Sequence, residues 1–345
     1  MGLSNGRSVE RPRPIQGGIW RINDKSGKLH AASPNGLLRN RFDMVIKSPP
    51  VFVGRTGRFP VLIVNGSVYR KADWEDFAGG AILDRTGRHR VDKLWDDLRA
   101  AGHDKRVLML DYDGTLSPLD VYRRKVFPYE GVREELSAVI ESRCCRLVII
   151  SGRWTMDLVQ LLGIDPLPEI WGCHGMERLF PDGHLTTGDI LEEEMRGFVE
   201  ADEWAGEAGM GAICERKPGC VVLHFAGAAG ESDRVFEAAR NAWLRIAKRR
   251  GLVLNDFYGG IELRPPGHDK GNAVRAVLDE VGIDAVSAYL GDGLSDEDAF
   301  KAINGRGLGV LVREEWRATG AQAWIRPPGQ LLEFLRKWAQ ICGDS

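Results

Sequence analysis

From about Val91 onward the chain alternates short, continuously apolar runs with longer stretches of amphipathic character. The runs RVLML, RLVII, SAYLG and GLGVLV lack the in-out alternation of a half-exposed strand, which predicts strands buried on both faces. Around them, VDKLWDDLRAAG, REELSAVIES, KGNAVRAVLDEVG and QLLEFLRKWAQ carry the 3.6-residue period of amphipathic helices. Strands and helices in this alternation imply an α/β fold, a doubly wound and mostly parallel sheet covered by helices on both faces.

The rhythm is interrupted twice. Residues 174 to 256 read as strands with two long helices, EEEMRGFVEADEWAGEA and SDRVFEAARNAWLRIAKRR, an α+β insertion between two halves of the core at 88–173 and 257–345. An insertion at that point makes a cap over the carboxyl ends of the strands, where open α/β sheets bind ligands. Residues 1–87 show short apolar runs broken by Gly, Pro and Asn, with Asn65-Gly66 between strand-like flanks and a second hairpin pattern in IWRINDKSGKLHAA. This predicts a β-rich N-terminal extension, in which no motif carries chemistry.

Composition narrows the class. The chain has 345 residues and is 43% hydrophobic, enough for a substantial core in two or three units. Its six cysteines show no CxxC spacing, a pattern that suits reduced thiols better than a disulfide framework or a zinc site. No apolar run approaches the roughly 20 residues that span a bilayer, and the first residues do not resemble a secretory signal. A cytoplasmic location without membrane association is the expectation. The net charge of −2 conceals a basic first sixty residues, with eleven Lys or Arg against three Asp or Glu. No nucleic-acid motif accompanies that charge, so it reads as solvated surface and nucleic acid is not an expected partner.

The chemistry concentrates at the ends of the predicted strands. In RVLMLDYDGTLSPL an apolar strand delivers Asp111 and Asp113 to its carboxyl end, before Gly114-Thr115 turn the chain. Two such carboxylates suit a nucleophile on phosphorus, Asp111, and an acid for the leaving oxygen, Asp113. Taken alone, they could equally be turn residues satisfying backbone amides. Three further segments weaken that bland reading. Ser151-Gly152-Arg153 follows RLVII with a hydroxyl and free amides for phosphate oxygens. Lys270 heads an amphipathic helix, where its ammonium and the helix N-terminus favour a dianionic phosphorane. Asp292 and Asp296 follow SAYLG, and hard oxygen ligands beside a phosphate site call for Mg²⁺.

DYDGT, SGR, the Lys270 segment and GDGLSDEDAF, in this order, resemble the four motifs of the haloacid dehalogenase superfamily, in the subgroup with a large cap between the second and third. The resemblance implies that Asp111 is the nucleophile and Asp113 the general acid and base, while Thr115 and Ser151 support the phosphoryl group and Lys270 orients Asp111. It also implies a metal site formed by Asp111, the backbone carbonyl of Asp113, Asp292 and Asp296.

Runs such as LDYDGTLSPL, GCHGMER, ERKPGCVVLHF and IELRPPGHDKGNAV resemble, more narrowly, trehalose-6-phosphate phosphatases. That resemblance implies a Mg²⁺-dependent phosphatase of a small phosphorylated sugar, paired in function with a glycosyltransferase that forms the substrate. It points to Arg153, His174, Glu177, Arg178, Glu215, Lys217 and His224 as substrate-binding residues. The chain departs from the family's cap pattern at Cys220, Phe225 and Ala226, where Ser, Tyr and Arg are usual, and from its metal motif at Gly293 and Ser295. Losing an arginine removes a planar, multidentate donor, a change that shifts substrate preference. Two alternatives therefore stay open, a phosphatase for another glycoside or polyol phosphate such as glucosylglycerol phosphate, and a catalytically silent sugar-phosphate sensor.

Overall fold

The computed structural model describes residues 80–345 except 120–125, 226–232, 258 and 345, together with the backbone of six short strands between Trp20 and Arg70. Ala226 lies outside the described residues. In the first part, β1 (Trp20–Asn23) pairs antiparallel with β2 (Lys28–Ala31). β3 (Val45–Ile46), β4 (Val51–Thr56), β5 (Phe59–Val64) and β6 (Ser67–Arg70) form an antiparallel sheet in chain order, with Val64 opposite Ser67. Residues 84–345 form a separate compact unit.

That unit begins within α1 (Gly80–Ala100) and continues through β7 (Arg106–Leu110), α2 (Val132–Ser142), β8 (Arg146–Ile150), α3 (Thr155–Leu162) and β9 (Glu169–Gly172). Next come β10 (Glu177–Leu179), β11 (Leu185–Thr187), α4 (Glu192–Glu207), β12 (Cys214–Lys217), β13 (Cys220–His224), α5 (Asp233–Arg250), β14 (Val253–Phe257) and β15 (Gly260–Arg264). The chain closes with α6 (Lys270–Val281), β16 (Val286–Gly291), α7 (Glu297–Ile303), β17 (Leu308–Val312), β18 (Ala323–Ile325) and α8 (Gly329–Gly343).

The large sheet has the order β11-β10-β9-β8-β7-β16-β17-β18, parallel throughout from β9 to β18 and antiparallel at β10 and β11. The continuous apolar runs are explained by its two covered faces. Along β7, Leu108 and Leu110 join α1, α2, α3 and α8 on one side, while Val107 and Met109 join α6 and α7 on the other. Connections lead from β7 outward through β8 to β9, then return to β16 on its other flank. The strand order therefore reverses between β7 and β16, which opens a crevice at their carboxyl ends.

The small sheet, β12-β13-β15-β14, is antiparallel. Its alternation sends Val221, Leu223, Ile261 and Leu263 into a core with Phe198, Ala201 and Trp243 from α4 and α5. Glu215, Lys217, Cys220, His224 and Glu262 fall on the opposite face by the register of the three strands. The sequence division at 173/174 and 256/257 cuts across this pairing, because hydrogen bonding gives β10 and β11 to the large sheet and β15 to the small one. Among the described residues no helix is long and apolar enough to cross a membrane.

Candidate active site

Asp111 leaves β7 with its amide bonded to Leu290 O at 2.9 Å and its side chain 2% exposed. The turn that follows folds back on Tyr112 O, which accepts from the amides of Thr115, Leu116 and Ser117. Gly114 has φ +82°, and a Cβ there would lie 2.3 Å from Asp292 Oδ2, so both backbone and space require glycine. Thr115 Oγ1 donates to Asp111 Oδ2 at 3.2 Å.

Lys270 is the first residue of α6, whose N-terminus is capped by Asp269 accepting from Asn272 N at 2.8 Å. Its buried ammonium bridges Asp111 Oδ1 at 2.6 Å and Asp296 Oδ1 at 2.8 Å. Asp296 is also held by Tyr289 OH at 2.5 Å and by Gly293 N on its other oxygen at 2.8 Å. The carboxylates of Asp111, Asp292 and Asp296 lie within 4.8 Å of one another.

Two of these buried carboxylates share the Lys270 ammonium and Asp292 has Arg313 Nη1 at 4.0 Å, so three carboxylates face two cations and negative charge is in excess. Burial, reinforced by Asp296, pushes Asp292 up to about 7. Burial likewise pushes Asp111 well above the usual carboxylate range, with Lys270 opposing and Asp296 and Asp292 assisting. For Lys270 burial works downward, but the two carboxylates hold the amine above its ordinary range. Hard oxygen donors with surplus negative charge fit a divalent cation such as Mg²⁺.

Asp113 is not brought into this cluster by its side chain. Its carboxylate is forked by Arg153, whose Nη2 lies 2.6 Å from Oδ1. The Ser151 hydroxyl accepts from Arg153 N at 3.2 Å, and Ser151 O accepts from His174 N at 2.9 Å. The His174 ring covers Gly152 so closely that a Cβ there would lie 2.4 Å from Nε2. The loops after β8 and β9 are thus laced together beside the crevice.

The small sheet contributes from across this crevice. Lys217 Nζ donates to Gly152 O at 3.3 Å and lies 3.5 Å from Glu215. Glu215 meets His224 Nε2 at 2.7 Å, and burial notwithstanding, His224 and Lys217 bring its carboxyl down to about 2. Glu262 lies 3.3 Å from His174 Nε2. Burial raises its carboxyl, yet His174, Lys217 and Arg264 hold it well below the usual range.

Glu177 and Arg178 do not join them. Glu177 accepts from Trp154 Nε1 at 3.1 Å and Thr155 N at 3.2 Å, serving the start of α3. Arg178 pairs with Glu169 and Glu280 and lies over the Trp171 ring. Glu280 stands ten residues beyond Lys270 on α6, about 15 Å away.

Sequence reasoning missed Glu262, Tyr289 and Arg317. Glu262 had a visible signal, a charge inside the apolar strand IELR. Tyr289 looked like one more core aromatic. Arg317 donates to Asp292 O at 3.3 Å and Gly293 O at 2.5 Å from a loop without pattern.

Residues 109–320 match the model of the trehalose-phosphatase family. The chain is 32% identical over 320 residues to the trehalose-phosphate phosphatase of Mycobacterium tuberculosis, spanning 85% of this chain and 80% of that protein. The chain belongs to the trehalose-phosphatase family. It is accordingly a phosphoric monoester hydrolase of sugar phosphates. The solved structure of Aspergillus fumigatus trehalose-6-phosphate phosphatase is similar at a TM-score of 0.53 and 24% identity, over 72% of this chain and 97% of that one. The Candida albicans trehalose-6-phosphate phosphatase C-terminal domain gives 0.60 and 19%, over 72% and 96%. At these identities the structures speak for the fold alone.

Proposed function

We propose that this member of the trehalose-phosphatase family hydrolyses trehalose 6-phosphate to trehalose and phosphate, with Mg²⁺ and through a phospho-aspartate on Asp111. The observation that carries the reading is the buried Lys270 ammonium held between Asp111 and Asp296 at the reversal of strand order. An anionic nucleophile, a fixed cation and a strand-end crevice are the parts that phosphoryl transfer needs.

Asp111 attacks phosphorus through Oδ2, the oxygen that Lys270 does not hold. Asp113 gives its proton to the departing sugar oxygen, then takes one from the water that cleaves the acyl phosphate. Thr115, Ser151 and the Gly152 amide hold the phosphoryl oxygens, and Lys270 balances the charge that gathers on them. When bound at Asp111, the Asp113 carbonyl, Asp292 and Asp296, Mg²⁺ would supply charge neutralisation and orientation.

The large sheet is the catalytic core in this reading, and the small sheet with α4 and α5 is the cap that holds the sugar. Glu215, Lys217, His224 and His174 bracket its hydroxyls, with Arg153 at the junction. Glu177 and Arg178 are left out of that set because their partners commit them elsewhere. Residues 1–87 take no part in the chemistry, and a glycosyltransferase supplies the substrate.

The test is phosphate release from trehalose 6-phosphate, glucose 6-phosphate and glucosylglycerol phosphate, with Mg²⁺ and with EDTA, alongside hydroxylamine trapping of the acyl phosphate. Trehalose 6-phosphate should lead in kcat/KM, and EDTA should abolish turnover. Preference for another sugar phosphate would overturn the substrate, and turnover without a trappable intermediate would overturn the role of Asp111.

A further inference from the structure

The two carboxylates that follow β16 are held in different ways. Asp296 is fixed at its carboxylate, by Lys270, Tyr289 and Gly293 N. Asp292 is gripped at its carbonyl instead, where Arg317 Nε lies 3.3 Å away. The same guanidinium reaches the next carbonyl, with Nη2 2.5 Å from Gly293 O, while Nη1 meets Glu297 Oε1. Glu297 begins α7, one residue after Asp296, and accepts from Thr319 Oγ1 and Gly320 N at 2.8 Å each. Gly293 O also accepts from Asp296 N at 3.2 Å, so this carbonyl is clamped between the start of α7 and the Arg317 loop. Glycine has more backbone freedom to lose than any other residue, and one planar group that fixes the carbonyls on both sides of it takes that freedom away. With β16 holding the chain before Asp292 and the clamp holding it after, the Asp292 side chain is aimed by its backbone.

We propose that Arg317 is a positioning residue for the metal: it aims Asp292 at the cation to be shared with Asp111 and Asp296, and so sets the affinity of the site for a divalent ion. The inference rests on the Mg²⁺ reading of the carboxylate cluster and not on the identity of the sugar. The sign of the effect separates positioning from charge. As a mere positive charge beside the site, Arg317 repels a cation, and its removal would tighten metal binding. As a clamp, it keeps Asp292 in place before the ion arrives, and its removal weakens binding. Partners that orient metal ligands are typically worth about 10- to 100-fold in affinity. Removing Arg317 orphans neither of the groups it holds most firmly to the loop. Glu297 keeps Thr319 Oγ1 and Gly320 N, and Asp292 O keeps Arg313 Nη1 at 3.5 Å.

The experiment titrates Mn²⁺, which takes the same oxygen ligands as Mg²⁺, into the metal-free full chain and reads the free ion by its EPR signal. Melting curves of the metal-free proteins establish that each variant is folded. Arg317→Ala should bind Mn²⁺ about tenfold or more weakly than wild type. Arg317→Lys keeps the charge and can still donate to one carbonyl, but it lacks the planar fork, so it should recover only part of that loss. If the alanine variant fails to fold, the lysine variant carries the test, and it too should bind more weakly than wild type. Unchanged or tighter Mn²⁺ binding in a folded variant overturns the proposal. Wild type that leaves Mn²⁺ free in solution overturns the metal reading itself, and the role of Arg317 falls with it. Because no substrate is present, the outcome stands whichever sugar phosphate the enzyme prefers.

Discussion

Arg153 grips Asp113 from two nitrogens, with Nε 2.9 Å from Oδ2 and Nη2 2.6 Å from Oδ1. The carboxylate that is to move a proton is held in place by a planar fork until another acceptor competes for the guanidinium. An arriving phosphate or sugar oxygen is such an acceptor. Arg153→Lys keeps the charge but loses the fork, and kcat/KM should fall about tenfold, or about 1.4 kcal/mol. Arg153→Ala should lose about a hundredfold. Steady-state kinetics check both, and an unchanged kcat/KM in the alanine variant would show that the grip is idle.

Asp111→Asn should abolish turnover without unfolding the protein, because an amide cannot form the acyl phosphate. Lys270 keeps Asp296 as its partner in this variant, so no buried charge is orphaned. Thermal melting and phosphate release together decide the matter. Mg²⁺-dependent activity above a trace in a folded variant removes Asp111 from its role.

The parallel sheet and its strand-end carboxylates were legible because apolar runs and the DxD, SGR, Lys and GD segments are local patterns. The insertion's limits were not, since strand pairing decides them and β15 pairs with β13 across the long α5 excursion. Glu177 and Arg178 illustrate a second limit. Neighbours on β10 point to opposite faces, and which face meets the crevice depends on β9, to which they pair. The pairing of Glu262 could not be read for the converse reason, as its partner His174 lies 88 residues earlier, in the turn between β9 and β10.

A chain beginning at Thr86 should still hydrolyse p-nitrophenyl phosphate. It retains Leu94, Trp95 and Leu98, which α1 buries against the large sheet, and every candidate catalytic residue. A soluble, folded but inactive truncation would mean that the preceding residues complete the site.

Glu262 gives a pH signature. Its carboxyl lies well below its ordinary value of 4.5 in the folded protein, burial being outweighed by His174, Lys217 and Arg264. Stabilisation from a depressed carboxyl is present above its unfolded value and is lost as pH falls through its folded value. The Tm advantage of wild type over Glu262→Gln should therefore hold at neutral pH and shrink as pH falls below 4.5. A difference that stays constant down to about pH 3 would show that this charge is unlinked to folding.

Lys217 and Glu177 separate holding the sugar from holding the scaffold. Lys217 faces the crevice from the small sheet and meets Gly152 O, so Lys217→Ala should cost trehalose 6-phosphate about 1.5–3 kcal/mol in kcat/KM, about one to two decades. It should leave p-nitrophenyl phosphate, which has no sugar, nearly unaffected. Glu177 instead accepts from Thr155 N and Trp154 Nε1, and Glu177→Ala strands those donors at the start of the helix that follows Ser151–Arg153. That variant should lose about 1–3 kcal/mol of stability and impair both substrates alike, because the phosphate loop it braces serves both. Paired melting curves and two-substrate kinetics distinguish the roles. Should Glu177→Ala prove selective for the sugar and Lys217→Ala not, β10 rather than the β12–β13 hairpin would be the strand that reads the substrate, and the sugar-binding set would have to be redrawn around it.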